Sequence, residues 1–152
     1  MDGVRSRPAL SAPVLWLLRF VGAGLLAAMG GIHLYLYDDG YSGIDWIGPL
    51  FMVNAVAGFA MAVAVLLAPT RWLPAVAALG ALLQIGTLGA LVLTTWVGMF
   101  GFQESTKAEL YWETVWVEAA GFVVLAALAV LSLPRTRVFP GAASRADRVR
   151  VR

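Results

Sequence analysis

Glu118 stands seven residues inside the last apolar run of the chain, YWETVWVEAAGFVVLAALAVL, Tyr111 to Leu131. A carboxylate held in hydrocarbon costs about 2.5–3.5 kcal/mol, so an ionisable residue at that depth is read first as functional. The other apolar runs carry polar residues of their own: His33 in the first, Asn54 in the second, Gln84 and Thr87 in the third. Asn, Gln and His can all donate hydrogen bonds to a carboxylate. Together these groups have the chemistry of a binding pocket, or of a proton carrier built on Glu118 with His33 as relay. As an acid–base pair, Glu118 and His33 would need to lie within hydrogen-bond reach, directly or through one water. Trp112 and Trp116 are expected near the mouth of such a pocket.

Helices long enough to cross a bilayer must position these residues. The chain has 152 residues, 61% hydrophobic and 13% charged, and its mean hydropathy is +0.81. That leaves too little polar surface for a soluble domain. A spanning helix needs about 20 mostly apolar residues. Four segments qualify, at about 14–37, 46–68, 72–100 and 111–133, so the expected fold is an all-α, integral membrane four-helix bundle. Residues 1–13 form an N-terminal segment, and 134–152 a basic, disordered tail. The first run, Pro13 to Tyr37, exceeds the roughly 7–15 residues of a signal-peptide core and is read as a retained span. Between runs, DDGYSGID is rich in turn formers and Pro69 ends a helix.

Charge sets the orientation. Arg5, Arg7, Arg71, Arg135, Arg137, Arg145, Arg148, Arg150 and Arg152 fall on one side, whereas Asp38, Asp39, Asp45, Glu104, Glu109 and Glu113 fall on the other with Lys107. The positive-inside rule places both termini in the cytoplasm. Trp46, Tyr41, Tyr111 and Trp112 mark the outer interface, Trp16 and Trp72 the inner. Arg19 is expected to snorkel to the inner interface. Ten of the eleven basic residues are arginine, which suggests a GC-rich genome and, with the topology, a bacterial cytoplasmic membrane.

At 1.5 Å per residue, Asn54 and Glu118 lie roughly 10–12 Å below the outer boundary. Gln84 reaches the bilayer middle, with Thr87 a turn above it and His33 near the outer end. Stripes at three- and four-residue steps put them on inward faces: Arg19, Gly22, Leu26, Gly30, His33 and Tyr37; Phe51, Asn54, Gly58 and Met61; Gly80, Gln84, Thr87 and Leu91; Thr114, Glu118, Gly121 and Leu125. Each stripe mixes small residues, which let helices approach, with polar ones that hydrogen-bond across them.

The first span opens with LLRFVGAGLLAAMGGIH, and the second reads MVNAVAGFAMAVAVLLAPTR. On these features, over about Leu17 to Leu133, the chain resembles the DoxX-like group of small bacterial four-helix membrane proteins, many of which carry an acidic residue where Asn54 stands. The resemblance implies a four-helix fold and a setting near quinone-coupled sulfur oxidation or oxidant-resistance complexes.

With no cysteine and one histidine, the chain has no thiolate nucleophile, disulfide, iron–sulfur cluster or multi-histidine metal site of its own. No cofactor, metal site or catalytic constellation is expected, and no nucleic-acid partner. The leading expectation is a non-catalytic module whose pocket, lined by His33, Asn54, Gln84, Thr87, Trp112, Trp116 and Glu118, binds a lipophilic small molecule such as a quinone or lipid. It would alternatively serve as accessory subunit of a membrane complex or pair with itself. Proton-coupled transport through Glu118 ranks second and intramembrane acid–base catalysis by Glu118 and His33 third.

Overall fold

A computed structural model describes residues 11–134. The basic tail and the N-terminal segment expected from the sequence lie outside the described residues, apart from Ser11 to Pro13 and Pro134. Among the described residues, four helices are long and apolar enough to cross a membrane: α1 (Ala12–Asp38), α2 (Ile47–Leu67), α3 (Leu73–Trp96) and α4 (Tyr111–Leu131). Their length and composition make this a multi-pass membrane protein.

Local chemistry sets the helix ends. Pro13 and Pro74 sit in the first turns of α1 and α3, where a missing N–H leaves no bond unmade. Pro69 forces Ala68 into an extended conformation, φ −56° and ψ 126°, and so closes α2. The third helix stops at Trp96, four residues short of the expected Phe100. Gly98 and Gly101 adopt φ of +82° and +78° there, and Phe100 joins them at +52°. The chain reverses in the left-handed region, and Met99 and Phe102 pair backbone to backbone across the turn.

The helices form a ring in chain order, α1 and α2 as one tight hairpin, α3 and α4 as another. α1 also packs along α4, while α2 and α3 touch least among ring neighbours. One end of the bundle carries Ser11, the α2–α3 turn and Pro134; it is the terminal end. The other, the loop end, carries the α1–α2 and α3–α4 connections.

Glycine sets both hairpins. A Cβ on Gly58 would lie 2.9 Å from the Leu26 carbonyl oxygen and 3.0 Å from the Gly30 nitrogen. Backbone therefore meets backbone where α1 crosses α2, the close approach that small residues permit in lipid. Leu125 of α4 fills a notch left by Gly22 of α1 and Gly80 of α3. Leu26, Met29, Val65, Leu73, Ala77 and Leu128 belong to the same buried cluster, which runs from the middle of the bundle to its terminal end. Leu17, Phe20, Val53, Val56, Leu82 and Val123 point outward to lipid.

The expected inward stripes of α1, α3 and α4 match the buried residues closely. That of α2 does not. Its buried line is Ala55, Gly58, Ala62 and Val65, all turned to α1, while Phe51, Asn54 and Met61 are half-buried. Tight packing of α2 on α1 takes the smallest side chains, and this rotates Asn54 off the contact line.

Arg19 also departs from expectation. It is 5% exposed, and its guanidinium donates to the carbonyls of Leu66 (3.1 Å) and Ala68 (2.9 Å). Instead of snorkelling, it caps α2, satisfying carbonyls that Pro69 leaves without intrahelical donors and opposing the negative end of the helix dipole. The ring of Trp16 covers the cation at 5.0 Å.

Candidate functional site

The bundle is solid in its terminal half and hollow in its loop half. α1 is committed to α2 and α4 to α3, and a cavity of about 370 Å³ lies in the loop half, where the loosely joined α2 and α3 both line it. His33 and Leu36 of α1 contribute to it, as do Phe51 and Asn54 of α2, Leu83, Thr87 and Thr94 of α3, and Tyr111, Thr114 and Glu118 of α4. Its wall between α2 and α3 includes Leu50, Leu82, Gly86 and Ala90, all exposed on the outside of the bundle. The cavity thus borders the lipid-facing surface.

A roof closes the loop end. Tyr41 stacks on Phe51 at 4.6 Å and meets Phe102 edge-on at 5.9 Å. Its hydroxyl donates to Glu104 at 2.8 Å. Burial, reinforced by the hydrogen bond and the negative charge of Glu104, pushes ionisation of the Tyr41 hydroxyl well above its ordinary range. Tyr35 donates to Glu109 at 3.0 Å, and the Glu104 amide to the Thr94 carbonyl at 3.1 Å. These contacts fasten the α3–α4 loop across α1 and the α1–α2 connection.

Glu118 forms the deep end. It is 1% exposed, about 10 Å along α4 from Tyr111, and neither carboxyl oxygen has a hydrogen-bond partner. Asn54 shares the cavity without bonding to Glu118, and His33 and Gln84 are engaged or placed elsewhere. Thr87 stands beside Glu118, and its single hydroxyl proton has the carbonyls of Leu83 and Gln84 and the Glu118 carboxyl as competing acceptors. His33 donates from Nδ1 to the Met29 carbonyl at 3.0 Å and lies against the Phe51 ring at 5.0 Å. Gln84, fully buried, does not line the cavity. It lies below Glu118 with its side chain across Gly121, and both ends of its amide are unpartnered.

The structure therefore brings His33, Asn54, Thr87 and Glu118 to one cavity and seats Gln84 beneath it. Trp112 and Trp116 do not line it. They are 57% and 71% exposed on the outer face of α4. At about 100° per residue, Trp116 points nearly opposite to Glu118. Their separation from the pocket follows from helical phase.

The aromatic roof, Tyr41, Phe51 and Phe102, has no periodic signal in the sequence; Tyr41 alone stands out there, as an interfacial aromatic. Among the described residues no group of three or more His, Asp or Glu side chains is placed to hold a metal ion.

Comparison with known proteins finds no matching family model, no similar curated protein and no similar solved structure.

Proposed function

We propose that this protein binds a lipophilic small molecule in the cavity between α2 and α3, without converting it, and that the ligand enters sideways from the membrane. One observation carries the reading: a fully buried carboxyl with no protein partner lines a cavity whose other walls are largely apolar. Apolar enclosure with a few convergent polar groups is the usual form of a small-molecule site. An unpaired buried carboxyl is costly to keep, so a ligand that satisfies it has differential affinity to gain.

On the same proposal the loop end faces outward and both termini face the cytoplasm of a bacterium. Arg71 lies at the terminal end, and Asp38, Asp39, Asp45, Glu104 and Glu109 at the loop end, the asymmetry the positive-inside rule describes. The cavity then belongs to the outer half of the bilayer. A DoxX-like relationship is proposed on helix layout alone. Proton-coupled transport is less favoured. Toward the terminal end from Glu118, the buried side chains among the described residues are apolar apart from Gln84 and Arg19.

Native mass spectrometry of the protein purified in its own lipids tests binding. The wild type is expected to retain a discrete small-molecule adduct. Gly86→Phe, which projects a ring at the lipid-facing wall where a Cβ meets nothing within 4 Å, is expected to lose it. A wild type that carries no adduct, or a variant that keeps it, would sink the proposal.

A further inference from the structure

Resting on the binding reading, we infer that the ligand is a hydrogen-bond donor carrying positive charge, a lipophilic protonated amine, and not an acceptor such as a quinone. The hydrogen-bond directions inside the cavity carry this. His33 spends its Nδ1 proton on the Met29 carbonyl, which leaves Nε2 as a lone pair in the neutral ring. Thr94 directs its proton to α3 carbonyls and Thr114 to the Leu110 carbonyl, while Thr87 has the Leu83 and Gln84 carbonyls and Glu118 as acceptors within reach. All three hydroxyls therefore have protein acceptors for their protons. Tyr41 spends its proton on Glu104. Glu118 presents two unpartnered oxygens. Free donors among the lining side chains reduce to the Asn54 amide and the Tyr111 hydroxyl, and Tyr111 already accepts from Thr95 at 3.4 Å.

Charge agrees with the donor count. Glu104 and Glu109 stand at the roof, while among the described residues no lysine or arginine lines the cavity. The rings of Tyr41, Phe51 and Phe102, clustered within 6 Å of one another along the chain of contacts, present the π faces that bind ammonium groups in aromatic cages. A carbonyl ligand would set its own lone pairs against these acceptors. An ammonium supplies three donors and a charge to them.

The test compares two ligands on one scaffold in zwitterionic nanodiscs holding the full chain, with empty nanodiscs as reference: phenylbutylamine, ionised at neutral pH, and the methyl ketone with the same phenyl group and chain. The amine is expected to bind the wild type about tenfold more tightly than the ketone or better. In Glu118→Gln that preference is expected to fall to about twofold while ketone binding persists. A ketone that matches or exceeds the amine overturns the donor inference and leaves lipophile binding standing. Failure of both compounds to bind above empty nanodiscs defeats both readings. A folded Glu118→Gln that keeps the full preference removes Glu118 from the site. If that variant does not fold, the wild-type comparison decides alone.

Discussion

The Gln84 side chain lies across Gly121, and there is no room between them for a single methyl group. An ideal Cβ at position 121 would come within 2.7 Å of the Gln84 amide carbon. The contact holds α3 and α4 in register, with Gly80 against Leu125 below it and Thr87 beside Glu118 above it. Gly121→Ala is expected to destabilise the bundle by about 1–3 kcal/mol, the usual cost of overpacking. Gln84→Ala in the same chain should recover most of that loss. Unfolding titrations in mixed micelles across the double-mutant cycle would measure the coupling; additive effects would mean the two residues do not touch.

Arg19 and Arg71 lie near the same end of the bundle with different environments. Arg19 is buried and bonds two carbonyls at the end of α2, whereas Arg71 is exposed. Arg19→Ala is expected to cost about 2–3 kcal/mol, since charge-assisted hydrogen bonds are lost and two carbonyls go unpaired. Arg71→Ala should stay within about 0.5 kcal/mol. Equal effects would return Arg19 to the snorkelling role.

Glu118 is held at a cost to stability. Glu118→Leu is expected to raise stability by about 2 kcal/mol, because an unpartnered carboxyl leaves a largely apolar setting. Ligand retention should be lost in the same variant, the trade-off common at functional sites. A destabilised Glu118→Leu would make the carboxyl a structural bond that the geometry does not contain.

The roof gives a pH dependence. Ionisation of Tyr41 is pushed up by burial and by Glu104, so the folded state holds its proton more firmly than the unfolded chain does. Its stabilising contribution is complete below the ordinary tyrosine value of about 10 and is lost as pH rises beyond it. Thermal stability should decline above that pH, and Tyr41→Phe should reduce the decline. Ultraviolet titration would show a late-ionising component that diminishes in Tyr41→Phe, which identifies the residue.

Topology is open to a direct check because the chain has no cysteine. Single cysteines at Ser105, in the α3–α4 loop, and at Thr70, in the α2–α3 turn, should label oppositely with an impermeant maleimide. Position 105 is expected to react in intact cells and position 70 only after permeabilisation. The reverse pattern would place the cavity in the inner leaflet.

Much of the fold was legible because the bilayer imposes a simple rule. Any segment that crosses must be helical and apolar for about 20 residues, so composition alone located α1 to α4 to within a few residues. Helical phase likewise placed Thr114, Glu118, Gly121 and Leu125 on one inward line. The end of α3 escaped the same reading, since Val97, Met99 and Phe100 are as apolar as a span and only backbone conformation stops the helix.

What the sequence determined by itself was the set of spans, the position of each polar residue along its helix and the asymmetry of charge, because each depends on local composition and a fixed rise per residue. The tertiary structure decided which helices pack tightly and which part. That follows from backbone contact at Gly30 and Gly58, not from any periodic signal. It turned Asn54 out of the α1 contact and toward the cavity, seated Gln84 on Gly121, and carried Arg19 to carbonyls 47 and 49 residues away. It also set which carbonyls lie nearest His33 and the threonine hydroxyls of the cavity, and it left both Glu118 oxygens without a hydrogen bond of ordinary geometry.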